Sequence, residues 1–345
     1  MLALVRIALV LLLPWVGGSQ VNAAEFLKSI MTGGSSGTYI QIGRDLAELG
    51  RNCGYNLDVV ESAGSLENLV AVKRRTNTQF GIVQSDVLEY VRTHAAADPE
   101  LKRSLFGVRI MYPLYNEEVH LLARRDIQSV SDLANKRVAI GKVDSGTYLT
   151  SSLVLDIMRL DSAVRVPIGA SEALAKLQAG EIDALFYVAG APTKLFNNPD
   201  IDASRFHLVG MRDAPLTAAY VPSQIAGGLY PFQKDPVDVI AVKAVLMTYD
   251  FDPRKNAYHK NSCKAVADVA SSLLTNFDAL RSSGHPKWND VDLGAVPPGW
   301  RISACVKQGM AKSYELECRQ QPIREGTVKV VDQEYLNLLK SRLKP

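Results

Sequence analysis

Two copies of one tetrapeptide, Ser36-Gly37-Thr38-Tyr39 and Ser145-Gly146-Thr147-Tyr148, carry the residue types best suited to holding a ligand. Each copy follows a short apolar run that reads as a strand and opens a segment with helical periodicity. The first N–H groups of a helix have no intrahelical partner, and the helix dipole places its positive end there. A Ser-Gly-Thr turn at that point therefore offers donors to an anion. Glycine lets the anion approach the backbone closely. In parallel sheets such turns lie at the carboxyl ends of strands, where ligands bind. One copy alone would be read as Ser and Thr capping a helix with Gly making the turn. Two copies on facing lobes would clamp one carboxylate-bearing molecule from both sides.

Two further strand ends share this chemistry. Glu61-Ser62-Ala63-Gly64-Ser65 follows the second expected strand, and Val83-Gln84-Ser85-Asp86 follows the third. The expected ligand-binding residues are therefore Ser36, Gly37, Thr38, Tyr39, Ser62, Gly64, Ser65, Gln84, Ser85, Ser145, Gly146 and Thr147. Tyr115 and Tyr187 are expected to add ring faces or hydroxyls.

Other chemistries fit less well. Gly33-Gly34-Ser35-Ser36-Gly37-Thr38 resembles a phosphate cradle, but no lysine precedes Thr38 as the phosphate-binding loop of nucleotide hydrolases requires. No serine sits in a nucleophile elbow, and His94, His120, His207, His259 and His285 are scattered, so they are expected on the surface or in packing rather than as bases. No catalytic residue is expected. Glu117 and Glu118 are expected to be a solvated charge pair near a hinge. With no C-x-x-C and no ligand spacing among the histidines, neither a metal nor another cofactor is expected.

The elements that must position these turns alternate between strand and helix. Strands are expected at Phe26 to Met31, Leu57 to Val60 and Gln79 to Val83, with amphipathic helices between them. A second alternating block runs from Val119 to Val221, with strands at Val119 to Ala123, Val138 to Gly141 and Ala184 to Val188. The apolar run Val237 to Met247 reads as a strand returning to the first block, followed by a covering helix near Cys263 to Leu280. This predicts an α/β chain of two lobes, each a mostly parallel sheet flanked by helices, joined by two hinge crossovers. The expected divisions are a signal peptide at 1–23, lobe one at 24–116, lobe two at 117–230, the return to lobe one at 231–284, and an irregular C-terminal extension at 285–345. The hinges are expected near Asn116 to Glu118 and Tyr230 to Val237.

The leader reading rests on Arg6, the apolar run Ile7 to Val16 and the small-residue site Val21-Asn22-Ala23, which predict export and cleavage near Ala23. Ten apolar residues interrupted by Pro14 fall short of the roughly 20 that span a bilayer. Without Arg6 the 39 basic side chains become 38 against 36 acidic, a balance with no electrostatic case for nucleic acid or for an anionic membrane surface. Four cysteines in an exported chain predict two disulfides. Proximity in the sequence favours Cys305 with Cys318, which leaves Cys53 with Cys263.

Taken in order, several segments resemble the TAXI solute receptors of tripartite ATP-independent periplasmic (TRAP) transporters. They are Thr32-Gly33-Gly34 with Ser36-Gly37-Thr38-Tyr39, Glu61-Ser62 with Gly64-Ser65 and Glu67-Asn68, and Gln84-Ser85-Asp86-Val87. Leu114-Tyr115 with Glu118-Val119-His120 continues the likeness, as do Asp132-Leu133 before Lys136-Arg137-Val138-Ala139-Ile140-Gly141 and Ser145-Gly146-Thr147. Gly180-Glu181-Ile182-Asp183-Ala184 before Gly190-Ala191-Pro192 completes it. The likeness spans residues 26 to 284, and its Ser-Gly-Thr turns also occur in other type II binding proteins, including ABC-transporter receptors. It implies a type II periplasmic-binding-protein fold and a receptor for glutamate, glutamine or related small carboxylates. It also implies two membrane partner subunits, small and large and sometimes fused, driven by an ion gradient. Two departures are Lys73-Arg74-Arg75-Thr76, where the family leans acidic, and the long tail, which leaves open a ligand-sensing role beside a membrane kinase.

Overall fold

In a computed structural model the described residues are 28–316, except 75, 76, 100, 101, 103, 104 and 298. The expected signal peptide, Cys318 and the end of the C-terminal extension lie outside them. Ten strands form one mixed sheet: β1 (Ser29–Met31), β2 (Asp58–Val60), β3 (Thr78–Gln84), β4 (Val108–Arg124), β5 (Arg137–Ala139), β6 (Val164–Val166), β7 (Ala184–Ala189), β8 (Phe206–Leu208), β9 (Val221–Ile225) and β10 (Val237–Tyr249). The order is β2-β1-β3-β10-β4-β7-β5-β6, with β8 beside β4 and β9 beside β10. β1 pairs in parallel with β2 and β3, and β5 with β6 and β7. All seven residues of β3 are buried, as a strand between β1 and β10 with helices on both faces requires.

The helices are α1 (Thr38–Asn52), α2 (Ser65–Arg74), α3 (Ser85–Ala97), α4 (Gly146–Ile157), α5 (Ala170–Gln178), α6 (Ala214–Ala219), α7 (Ala257–Thr275), α8 (Phe277–Ser283) and α9 (Ala304–Gly309). The covering helix expected from Cys263 to Leu280 is thus two, broken at Asn276, which caps both. No helix among the described residues is long and apolar enough to cross a membrane.

Each lobe has its own cores. Ile30, Phe80, Met111, Leu246 and Val266 belong to one first-lobe cluster, and Met31, Val83, Ile110, Val245 and Met247 to another. The second lobe gathers Val119, Leu121, Phe186, Ile240 and Val242 on one face of its sheet and Leu122, Leu185, Phe206 and Val239 on the other. β4 and β10 are the two antiparallel strands that run through both lobes, paired along Asn116 to Glu118 and Ala241 to Lys243. The return crossing therefore falls inside β10, after Val242, rather than near Tyr230 to Val237. β9 and the first half of β10 still pair with each other over the second lobe's core, which postpones the change.

Of the expected C-terminal extension, residues 285–316 are described apart from 298: Pro286–Asp290 form a 3-10 turn, Trp288 is fully buried, and Ile302 bridges Ile110 of β4. The cysteine pairing differs from the one expected. Cys263 bonds Cys305, with Cα atoms 5.2 Å apart and 42 positions between them in sequence, which excludes both the Cys53–Cys263 and the Cys305–Cys318 pairings. The reason is long-range packing. α9 lies so close on α7 that a Cβ on Gly309 would sit 2.1 Å from the Ala267 carbonyl oxygen, and this contact carries Cys305 to Cys263.

Candidate functional site

The two repeated turns meet at one cleft. Gly37 caps α1 with an extended backbone and no capping side chain, so the first-turn N–H groups of that helix stay available. α4 opens from Ser145, also extended, whose hydroxyl caps the helix by accepting from the Tyr148 N–H at 3.0 Å. Both turns line a cavity of about 380 Å³ between the lobes, together with the start of α2 at Ser62 to Ser65 and the start of α5 at Gly169 to Glu172. Four helix N-termini thus converge on one space. The N-terminus of α5 had no signal in the sequence beyond Gly169 before a helical run.

The lobes touch across this cavity. Thr38 Oγ1 donates to the Gly190 carbonyl at 2.9 Å, and the Leu66 N–H to the Asp144 carbonyl at 3.2 Å. Behind them Thr150 Oγ1 donates to Asp86 Oδ2 at 2.7 Å and lies 3.3 Å from Gln84 Oε1. Glycine is required at the closest approach: a Cβ on Gly146 would meet Gln84 Oε1 at 1.8 Å and Ser65 Oγ at 2.7 Å. Gly64, with φ of +130°, brings its backbone within 3.2 Å, measured from a would-be Cβ, of the Ser145 Cα.

The expected residues divide by what their polar atoms do. Ser36, Gly37, Thr38, Tyr39, Ser62, Gly64, Ser65, Gln84, Ser145, Gly146, Thr147 and Tyr187 all border the cavity. Several are already engaged within it. Ser62 Oγ lies 3.0 Å from the Thr32 carbonyl, 2.7 Å from Asn68 Oδ1 and 3.0 Å from the Gly64 N–H, building its loop. Ser65 Oγ accepts from the Gln84 N–H at 3.1 Å, and Thr147 Oγ1 from the Val188 N–H at 3.1 Å. Two residues are not brought to the cavity. Ser85 accepts from the Lys243 N–H and lines a separate groove of about 900 Å³ on the far side of the hinge strands. Tyr115 is fully buried in the first-lobe core, with its phenol pushed far up by burial and by the Glu117 and Glu118 carboxyls.

The charges at the cavity are Glu61, Glu117, Glu172 and Lys142, so no arginine serves an anion there. Glu117 and Glu118 are not the solvated pair expected, being 2% and 5% exposed. Tyr39 donates to Glu117 Oε2 at 2.6 Å. Glu118 accepts from the Ala191 N–H at 2.7 Å and from Lys287 Nζ at 2.7 Å. Burial pushes the Glu117 carboxyl up to about 8, against the opposing hydrogen bond from Tyr39 and with the help of Asp86. His120 is a packing residue, its ring bonded to the Glu118 carbonyl and the Tyr230 hydroxyl and held by burial at about 4. Nothing in the local sequence marked Glu117, because its burial comes from elements far away in the chain.

Similar folds are found among solved structures. The ligand-binding core of GluR0 from Nostoc punctiforme, in complex with L-glutamate, is 17% identical with a TM-score of 0.45, covering 76% of this chain and 99% of that one. A periplasmic sulfonate-binding protein, SsuA, from Methylobacillus flagellatus is 14% identical with a TM-score of 0.44, covering 87% of this chain and 82% of that one. The sequence profile of the NMT1-like family matches residues 30–265, a stretch that holds both repeated turns, both strands of the hinge and most of the cavity wall. By that match over more than half its length the chain belongs to the NMT1-like family.

Proposed function

We propose that this protein is an extracytoplasmic solute receptor that encloses a small carboxylate, of glutamate or glutamine size or a related organic acid, and delivers it to an ion-driven TRAP-type membrane transporter. The observation that carries this reading is the convergence of two Ser-Gly-Thr helix starts, with those of α2 and α5, on one interlobe cavity free of arginine. Helix N-termini stabilise an anion without a buried cation, and a closing cleft removes the water that would otherwise weaken them. The ligand-binding residues in this reading are those of the cavity wall: Ser36, Gly37, Thr38, Tyr39, Ser62, Gly64, Ser65, Gln84, Ser145, Gly146, Thr147 and Tyr187. The TRAP assignment rests on the resemblance of the first-lobe and second-lobe motifs to TAXI receptors, and export rests on the leader with cleavage near Ala23.

The test is a thermal-shift screen across amino acids and organic acids. A ligand at a hundredfold excess over its dissociation constant stabilises the native state by about 2.7 kcal/mol, a clear rise in melting temperature. A screen in which sugars or cations shift the protein and carboxylates do not sinks the proposal. Co-purification with a TRAP membrane subunit, an ABC permease or a sensor kinase then separates the three partner classes.

A further inference from the structure

Glu117 stands at the middle of β4, where that strand passes between lobes, and its side chain borders the cavity although the residue is almost wholly buried. Every group that faces it is neutral or acidic. α1 presents Tyr39, α3 presents Asp86 with Gln84 just before it, β7 presents Tyr187, and β4 itself presents Tyr115 and Glu118. β10 pairs Val242 opposite it. The buried lysine nearby, Lys287, is held by Glu118 and Asp290. An ionised carboxylate there would face an anionic ligand across a cavity whose wall carries, among the described residues, a single cation, Lys142, a repulsion that burial leaves weakly screened. Burial, with Asp86 and Glu118 adding to it, places the carboxyl's titration at about 8, so the proton is retained at neutral pH.

Resting on the receptor reading above, we infer that Glu117 is the specificity-determining residue of the cleft: it keeps its proton in the closed state and donates a hydrogen bond to an oxygen of the ligand. The site then takes an acid whose carboxylate meets the helix starts and whose keto, hydroxyl or second carboxyl oxygen meets Glu117. At Glu117 itself an α-ammonium group, which a protonated carboxyl holds poorly, is disfavoured.

The experiment is calorimetry with 2-oxoglutarate and L-glutamate, which match in length and differ at C2 in a keto oxygen against an ammonium. Wild type is expected to bind 2-oxoglutarate about tenfold or more tighter near neutral pH. Its affinity should be flat below about pH 7 and fall by up to about tenfold per unit above the Glu117 titration, with proton uptake on binding. Glu117→Gln, which cannot ionise, should abolish the pH dependence whatever its affinity at neutral pH. Tyr39→Phe removes one of the two side-chain donors, with Gln84, that favour the ionised form and should move the break to higher pH, a shift that a merely structural role would not produce. Tighter binding of L-glutamate, strengthening as pH rises and lost in Glu117→Gln, overturns this inference and leaves the receptor proposal standing. A break common to wild type and Glu117→Gln, or unmoved in Tyr39→Phe, also overturns it. Binding of neither compound to either protein overturns this inference, and the carboxylate screen above then decides the receptor proposal.

Discussion

Lys287 Nζ lies 2.7 Å from Glu118 Oε1, and each side chain is only 6% exposed. The two stand 169 positions apart in the chain, on β4 and on the segment after α8. Glu118 also accepts from the Ala191 N–H of the second lobe, so the pair ties the C-terminal segment to the point where the lobes meet. Burial on its own pulls the Lys287 ammonium down, but Glu118 and Asp290 outweigh it and hold it above the ordinary lysine value.

Removing one member of such a pair leaves an uncompensated buried charge. Lys287→Met is expected to destabilise the protein by about 3 to 5 kcal/mol in equilibrium urea unfolding. The double variant Lys287→Met with Glu118→Gln should recover part of that loss. Equal stability of Lys287→Met and wild type would show that Glu118 finds its charge compensation elsewhere.

The interlobe hydrogen bond from Thr38 to the Gly190 carbonyl is a direct cost of opening. Thr38→Val leaves that carbonyl without its donor in the closed state, a loss of about 1 to 3 kcal/mol. If the lobes close on the ligand, as the proposed receptor function requires, affinity for the carboxylate found by thermal shift should fall roughly fivefold to a hundredfold. Small-angle scattering should show a larger radius for the liganded variant. Unchanged affinity and radius would remove Thr38 from the closing contact.

His120 gives a pH prediction. Burial holds the folded imidazole at about 4 against its ordinary value of 6.5. Between these values the unfolded chain binds the proton and the folded chain does not, so stability that depends on a neutral His120 is complete above about pH 6.5 and is lost as pH falls toward 4. The difference in unfolding free energy between wild type and His120→Gln should shrink by up to about 3 kcal/mol across that window. A ring that titrates near 6.5 by NMR would contradict the burial argument.

The Cys263–Cys305 bridge closes a loop that includes α8 and the buried Trp288. Replacing both cysteines by serine is expected to cost about 4 kcal/mol in the chain-entropy account. α9 should exchange its amide hydrogens faster, because the bridge and the Gly309 contact are what hold it on α7. Unaltered exchange in α9 would assign its anchoring to apolar packing alone.

Seven of the ten strands, and the helix starts at Ser36, Ser62 and Ser145, were readable in the residue order because each is written locally. A β3 with every residue buried, a Ser-Gly-Thr helix start and the long apolar run that became β10 carry their signals within about a dozen positions. The packing of distant segments was not readable. Which cysteine meets Cys263, whether Glu117 is wet or dry, and where Lys287 finds its partner depend on segments from 42 to 169 positions apart. Burial and charge pairing are properties of a neighbourhood assembled by the whole sheet. For that reason the folded chain brought Trp288, Val291, Cys305 and Val306 into the first-lobe core, placed Ser85 and Tyr115 away from the cavity, and set a buried carboxyl where the residue order suggested a solvated one.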